Sequence, residues 1–206
     1  MDRTRAMTPV DYAKLLVSIG AVELRTDPAK WFTWSSGERA PIYCDNRVVI
    51  SYPEVRALIA QGLADSIRGA WPDVEVIAGT STAGIPHAAW VATLLDLPMV
   101  YVRGAAKEHG KGKRVEGKPL GGERVVLIED LVSLGGSSLG AVEGLEEEGG
   151  KVIGVQAIFT YGFPAAASRF AAAGKRVLAL TSFDALLETI ELDPATRKVL
   201  LAWRER

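Results

Sequence analysis

Residues Arg124 to Ser138, RVVLIEDLVSLGGSS, join an apolar run to two adjacent carboxylates and then to a loop of small residues. The last part has the makings of an anion cradle. Gly135 and Gly136 let backbone N–H groups come close to a ligand, Ser133, Ser137 and Ser138 add hydroxyl donors, and the following helix points its positive end at the same place. Glu129 and Asp130 do the opposite. When ionised they only accept hydrogen bonds, so they suit vicinal hydroxyls, a metal ion, or both. A bare phosphate would be repelled by them, and the ligand must therefore carry something beside its phosphate. A ribose 5-phosphate does so, since its 2- and 3-hydroxyls lie at about that reach. An acidic pair at a strand end can also cap the next helix, but the adjoining cradle favours a ligand. The run matches neither G-x-x-x-x-G-K-[ST], because no Lys follows Gly140, nor G-x-G-x-x-G, so nucleoside triphosphates and dinucleotides lose support.

A second candidate lies upstream. Residues 103–118, RGAAKEHGKGKRVEGK, hold Arg103, Lys107, Lys111, Lys113, Arg114 and Lys118 against Glu108 and Glu116, with four glycines and no apolar periodicity. A basic loop of this length inside a compact domain points to function.

The elements that position these loops follow from patterning. Thr8-Pro9 with Asp11 predicts an N-capped helix to about Ile19. Residues 31–50 mix aromatic and β-branched residues around a Ser-Gly turn, as a hairpin or short strands would. Pro53 to Arg68 is helical by its apolar spacing. Strands are then expected at 74–79, 98–102, 124–129, 151–159 and 176–180, with helices at 84–95, 137–148 and 165–173. Such alternation predicts a mostly parallel sheet covered on both faces, with ligands at the carboxyl ends of the strands near a switch in strand order. One domain over 1–206 is expected, divided into an N-terminal helix and hood (1–50), an α/β core (51–185) and a C-terminal helical segment (186–206).

Bulk numbers narrow the class. The 206 residues carry 24 Lys and Arg against 25 Asp and Glu, so no global field favours nucleic acid or an anionic membrane. A single cysteine, Cys44, rules out an internal disulfide framework, and no leader or apolar span is apparent near the start. A soluble, cytoplasmic protein is expected.

The stretch VVLIEDLVSLGGSS resembles the phosphoribosyl pyrophosphate motif of type I phosphoribosyltransferases, which is specific to the superfamily rather than to one base. Three more stretches, FTWSSGERAPIYCDNR (32–47), AGTSTAGIPHAAWVA (78–92) and YVRGAAKEHGKGKRVEG (101–117), are similar to the orotate-specific branch over nearly the whole chain. The resemblance implies a type I phosphoribosyltransferase fold with a small hood and a flexible catalytic loop. It also implies a Mg²⁺-assisted displacement at ribose C1, in which orotate attacks as pyrophosphate leaves, and a homodimer whose loops close over each other's sites.

Carried over by position, Arg103, Lys107 and His109 correspond to pyrophosphate contacts. Glu129, Asp130, Leu131, Val132, Ser133, Leu134, Gly135, Gly136 and Ser137 correspond to the phosphoribosyl loop, with the two acids on the ribose hydroxyls and Ser133 also on orotate. Lys107, His109 and Asp130 are the implied catalytic set. The loop GTSTAG (79–84) stands on the pyrophosphate side. No dedicated protein metal site is implied, Mg²⁺ being held mainly by substrate phosphates. Gly104, Ala105, Ala83 and Ser35 stand where some members carry Lys, which leaves Lys111 or Lys113 as substitutes. His87 and Cys44 read as packing residues, Trp31 and Trp34 as core or interface ahead of the alternative that a flat pyrimidine packs on them, Asp45-Asn46-Arg47 as orienting the hood over the base, and Glu146 to Glu148 as a solvated face. The competing readings are another nucleobase as acceptor, or a regulator that senses the sugar phosphate without turning it over.

Overall fold

The computed structural model describes residues 6–34, 37–104 and 113–205. The expected alternation is present. In chain order the elements are α1 (Pro9–Ser18), β1 (Val22–Leu24), β2 (Phe32–Thr33), β3 (Arg39–Ala40), β4 (Ile42–Cys44), α2 (Pro53–Ala70), β5 (Val76–Thr80), α3 (Gly84–Leu95), β6 (Met99–Val102) and β7 (Val115–Glu116). There follow β8 (Arg124–Val132), α4 (Gly136–Glu147), β9 (Lys151–Thr160), α5 (Pro164–Ala172), β10 (Val177–Ser182), α6 (Phe183–Leu187) and α7 (Pro194–Arg204). Short 3-10 turns occupy Pro28–Lys30 and Asn46–Ser51.

Six strands form the central sheet in the order β10-β9-β8-β5-β6-β7, all parallel except the last pair. The chain builds outward in one direction from β5 and in the other from β8. The switch in strand order therefore falls between these two neighbours, where crossovers leave a crevice beyond the carboxyl ends. β5 is buried along its whole length and β8 from Val125 to Glu129, as expected of strands covered on both faces. β7 was not expected. It pairs Val102 with Val115 and Tyr101 with Glu116 inside the interval read as structureless, and two residues are too few to carry a period.

The N-cap expected at Thr8 is formed and extends to a full capping box: Asp11 N donates to Thr8 Oγ1, and Thr8 N donates to Asp11 Oδ2. The hood consists of two small antiparallel pairs, β1 with β4 and β2 with β3. Such fragments are too small to stand alone. They are held to the core by aromatic packing: Trp34 lies 5.0 Å from Tyr161 and 5.7 Å from Trp203, ring centre to ring centre. Trp203, on α7, is 1% exposed and donates its indole N–H to the carbonyl of Arg39. The C-terminal helix is thus the clasp of the hood.

Close helix-to-sheet packing sets the depth of the crevice. A Cβ on Gly84, the first residue of α3, would sit 2.5 Å from the Ile128 carbonyl oxygen and 2.5 Å from Thr80 Oγ1. No rotamer change relieves a clash with a backbone oxygen. Gly84→Ala should therefore lower stability by about 1–3 kcal/mol, read as a lower urea midpoint at unchanged slope; an unaltered midpoint would show that this approach is not tight.

Candidate functional site

β5 and β8 deliver the two loops of the site side by side. Beyond them opens a cleft of about 790 Å³ lined by Thr80 to Ala83, Arg103, Arg114, Glu129 to Leu131 and Ser133 to Ser137, with Trp34 and Glu38 from the hood. It brings together Arg103, Glu129, Asp130, Leu131, Ser133, Leu134, Gly135, Gly136 and Ser137. Val132 is different: its side chain is 1% exposed and faces the core, and its carbonyl accepts from Tyr161 N and Thr160 Oγ1. Lys107, His109 and Lys111 lie outside the described residues, as do Ser35 and Ala105.

The cradle is built by α4. Gly135, at φ 78°, takes the left-handed conformation at the N-cap, and no side chain caps the helix. The N–H groups of the first turn are therefore left for an outside acceptor, at the positive end of the dipole. A Cβ on Gly135 would also meet Phe170 Cε2 at 2.8 Å. Ser138 is turned inward: it is 1% exposed and its hydroxyl donates to Glu129 Oε2 at 2.9 Å. The cradle thus ends at Ser137.

The two acids lie within β8 itself, whose last residue is Val132. They are not equivalent. Glu129 is 5% exposed, and its other oxygen, Oε1, accepts from Thr80 Oγ1 at 2.6 Å and from Asp130 N at 3.2 Å. Asp130 is half-buried. Burial, and for Glu129 also the charge of Asp130, raises both carboxyls above the usual carboxylate range. Among the described residues no group of three or more His, Cys, Asp or Glu is arranged to hold a metal. An ion here would have to draw most of its oxygens from a ligand.

A second chamber of about 410 Å³ adjoins the cleft and shares Trp34, Leu131 and Ser133 with it; Thr33, Tyr43, Cys44 and Tyr161 complete its walls. Its lining is mostly apolar. Burial pushes the Cys44 thiol and the Tyr161 phenol up, so both stay neutral. Asn46 is fully buried and donates Nδ2 to the Asp130 carbonyl at 2.6 Å, joining the hood turn to the strand that bears the acids. Beside it Asp45 and Arg47 form a two-pronged pair at 2.6 and 2.7 Å. His87 is 0% exposed on α3 and edge-on to Trp90; burial lowers it to about 4, so it is a neutral packing residue.

Sequence reasoning named the GTSTAG loop, Arg114 and Glu148 but not the contacts they make: Thr80, inside that loop, reaches the Glu129 carboxylate, and Arg114 lies along α4. Glu148, read as part of a solvated face, accepts from two backbone N–H groups, a role with no local signal.

The state of Glu129 has a measurable consequence. Its pKa is raised from 4.5 to about 7 by burial, so the stability tied to its protonated form is complete below about pH 4.5 and is lost as pH rises through about 7. Gln cannot ionise. Glu129→Gln should therefore be more stable than the parent at pH 8, on the order of 1–3 kcal/mol, with the gap closing towards pH 5 in thermal melts. A gap that is flat with pH would place the cost elsewhere.

Comparison with known proteins agrees with this geometry. A family model described as the phosphoribosyl transferase domain matches residues 49–171. The orotate phosphoribosyltransferase of Listeria monocytogenes serotype 4b (strain F2365) is 54% identical over 176 residues, 85% of this chain and 83% of that relative. The orotate phosphoribosyltransferase of Aeropyrum pernix superposes with a TM-score of 0.74 at 31% identity, covering 85% of this chain and 96% of that one. That of Mycobacterium tuberculosis H37Rv, solved in complex with 5-phospho-alpha-D-ribosyl 1-diphosphate, gives a TM-score of 0.65 at 26% identity over 86% of this chain and 98% of that one. With its match to the family model and this identity over most of its length, the chain belongs to the phosphoribosyl transferase family and, within it, to the orotate phosphoribosyltransferases.

Proposed function

We propose that the cleft transfers the ribose 5-phosphate group of phosphoribosyl pyrophosphate to orotate in three adjoining compartments. The observation that carries this is the junction of β8 and α4, where half-buried Asp130 shares the cleft with a helix-end anion cradle and the next residues, Leu131 and Ser133, also line the mostly apolar chamber. The 5-phosphate takes the first-turn N–H groups of α4 with Ser137 and Ser133. The ribose hydroxyls donate to Asp130 and Glu129. The base enters the chamber walled by Trp34, Tyr43 and Tyr161, with Ser133 shared between chamber and cleft. The pyrophosphate then extends towards Thr80–Ala83 and Arg103.

A ring nitrogen of orotate forms a bond to C1 as the C1–O bond to pyrophosphate breaks. The electron pair leaves with the pyrophosphate oxygen, and the nitrogen's proton passes to solvent. Positive charge grows on C1 and negative charge on the leaving group, so catalysis comes from fixed cations around the phosphates and from excluding water. Asp130, beside C1, also offsets the charge there. Mg²⁺ would neutralise the pyrophosphate, and its fit here is to oxygens supplied by the substrate. Lys107 and His109 are proposed to complete the pyrophosphate contacts.

The apolar face of α3 supports a homodimer. In its 12 residues, Gly84–Leu95, the helix has no charged residue, yet Ala89, Thr93 and Leu94 are exposed, and Leu94 is 40% so. An uncharged exposed helix face of this kind is suited to a second copy. Among the described residues no helix is long and apolar enough to cross a membrane, which suits the proposed cytoplasmic setting.

Purified protein should release pyrophosphate only when orotate, phosphoribosyl pyrophosphate and Mg²⁺ are all present. Consumption of a purine or uracil in place of orotate would assign a different acceptor, and binding without turnover would favour the sensing role. Lys107→Ala should reduce kcat by roughly 100-fold with little change in the melting temperature; an unchanged kcat removes Lys107 from the mechanism. Leu94→Glu should shift sedimentation from dimer to monomer, and a dimer that persists would place the interface elsewhere.

A further inference from the structure

Helix α4 carries the cradle at one end and, about 18 Å away for a helix of this length, holds the base of the basic segment at the other. Glu148, immediately after the helix, places a single carboxylate oxygen, Oε1, 2.5 Å from Arg114 N and 2.9 Å from Val115 N. The carbonyl of Arg114 in turn accepts from Arg103 N at 2.8 Å, closing the two strands just where Arg103 enters the cleft. The Arg114 side chain lies back along α4. Its Nη2 donates to the Gly140 carbonyl at 2.9 Å, and a Cβ on Gly144 would stand 3.1 Å from its guanidinium carbon. Both arginines line the cleft, and Glu148 does not.

We propose that Glu148 is a positioning residue for the pyrophosphate end of the site, holding Arg114 and, through it, Arg103 in place from outside the cleft. This rests on the reading of Arg103 as a pyrophosphate contact. Ser81 holds the preceding carbonyl of Val102 from the β5 side, but on the β7 side the support is two residues long, and among the described residues the Arg103 side chain has a 3.5 Å contact to Glu116. Without the Glu148 acceptor, the N–H groups of Arg114 and Val115 lose their partner and the strand end is free to shift. A shift of about 1 Å in a charged contact is enough to cost one to two orders of magnitude in rate.

The test uses the full chain, with the Glu148→Ala and Glu148→Gln variants beside the parent. Since one oxygen accepts both bonds, the Gln carbonyl can replace it without charge. Calorimetric titration with Mg²⁺–pyrophosphate should show about tenfold weaker binding for Ala, while ribose 5-phosphate, held by the cradle, binds within about twofold of the parent. In turnover, kcat/KM for phosphoribosyl pyrophosphate should drop by roughly 10- to 100-fold with KM for orotate little changed, and Gln should restore most of both losses. Pyrophosphate binding and turnover equal to the parent in the Ala variant would overturn the proposal. So would an equal loss of both ligands, which marks general loosening, or a Gln variant as impaired as Ala. If the parent itself takes up ribose 5-phosphate but no pyrophosphate, the reading of Arg103 fails first, and that result is told apart by the parent alone.

Discussion

A carboxylate buried between three elements is the constraint around which this site is arranged. Glu129 sits on β8, is reached by the Thr80 hydroxyl from β5 and by the Ser138 hydroxyl from α4, and has almost no contact with solvent. An ionised carboxylate there has lost most of its hydration, and two neutral hydroxyls with the Asp130 backbone N–H replace it only in part. The stability cost is local and falls at the switch in strand order. A site that must grip hydroxyls strongly gains from it, because acceptors in a low-dielectric pocket reward a donor more than they would in water. The same two hydroxyl bonds fix the spacing of β5, β8 and α4, so the element that costs stability also sets the geometry of the crevice.

In the proposed reaction the remaining parts divide the ligand among separate supports. The phosphate end falls to the first turn of α4, left uncapped with Gly135 at the N-cap, together with Ser133. The base end falls largely to the hood, which is too small to fold by itself and borrows its order from Trp203, Tyr161 and Asn46. Asn46 matters because it ties the hood to the backbone of Asp130 rather than to its side chain. The carboxylate stays available while the wall of the base chamber keeps its register with the sugar. Trp203, far away in sequence, has a comparable effect: loss of packing at the C-terminal helix would be felt at the base.

Much of this was legible in the sequence where the physics is local. The N-cap at Thr8, the limits of α3 at residues 84 and 95, and the apolar strands each carry their own period or punctuation. The cradle was legible because glycine and serine at a strand-to-helix turn have few other uses, and the acids because charge at the end of an apolar run needs a reason. What was not legible depends on contacts between distant segments. That Ser138 faces inward, that Val132 offers the site only its backbone, and that Glu148 serves a strand more than thirty residues earlier follow from packing that no window of sequence contains. β8 also runs on through its acids to Val132, since pairing with β9 continues as far as Val132 with Thr160. A run of polar residues looks like the end of a strand even when the ladder goes on.

The cations show how a nearly neutral chain can bind a highly charged substrate. With Gly104 and Ala83 uncharged, the described charge facing the cleft comes chiefly from Arg103 and Arg114. Their commitments differ in strength. Arg114 is fastened to α4 by its own backbone and guanidinium, whereas Arg103 has a 3.5 Å pairing with Glu116 in which both side chains are about one-third exposed. A pair of that kind contributes about 0–1 kcal/mol, far less than charge-assisted bonds to a phosphate in a closed site. In the proposed reaction Arg103 is thus kept near its station without being spent there. A stronger anion can therefore take the guanidinium from Glu116 at little cost, while the backbone N–H of Arg103 stays bonded to the Arg114 carbonyl.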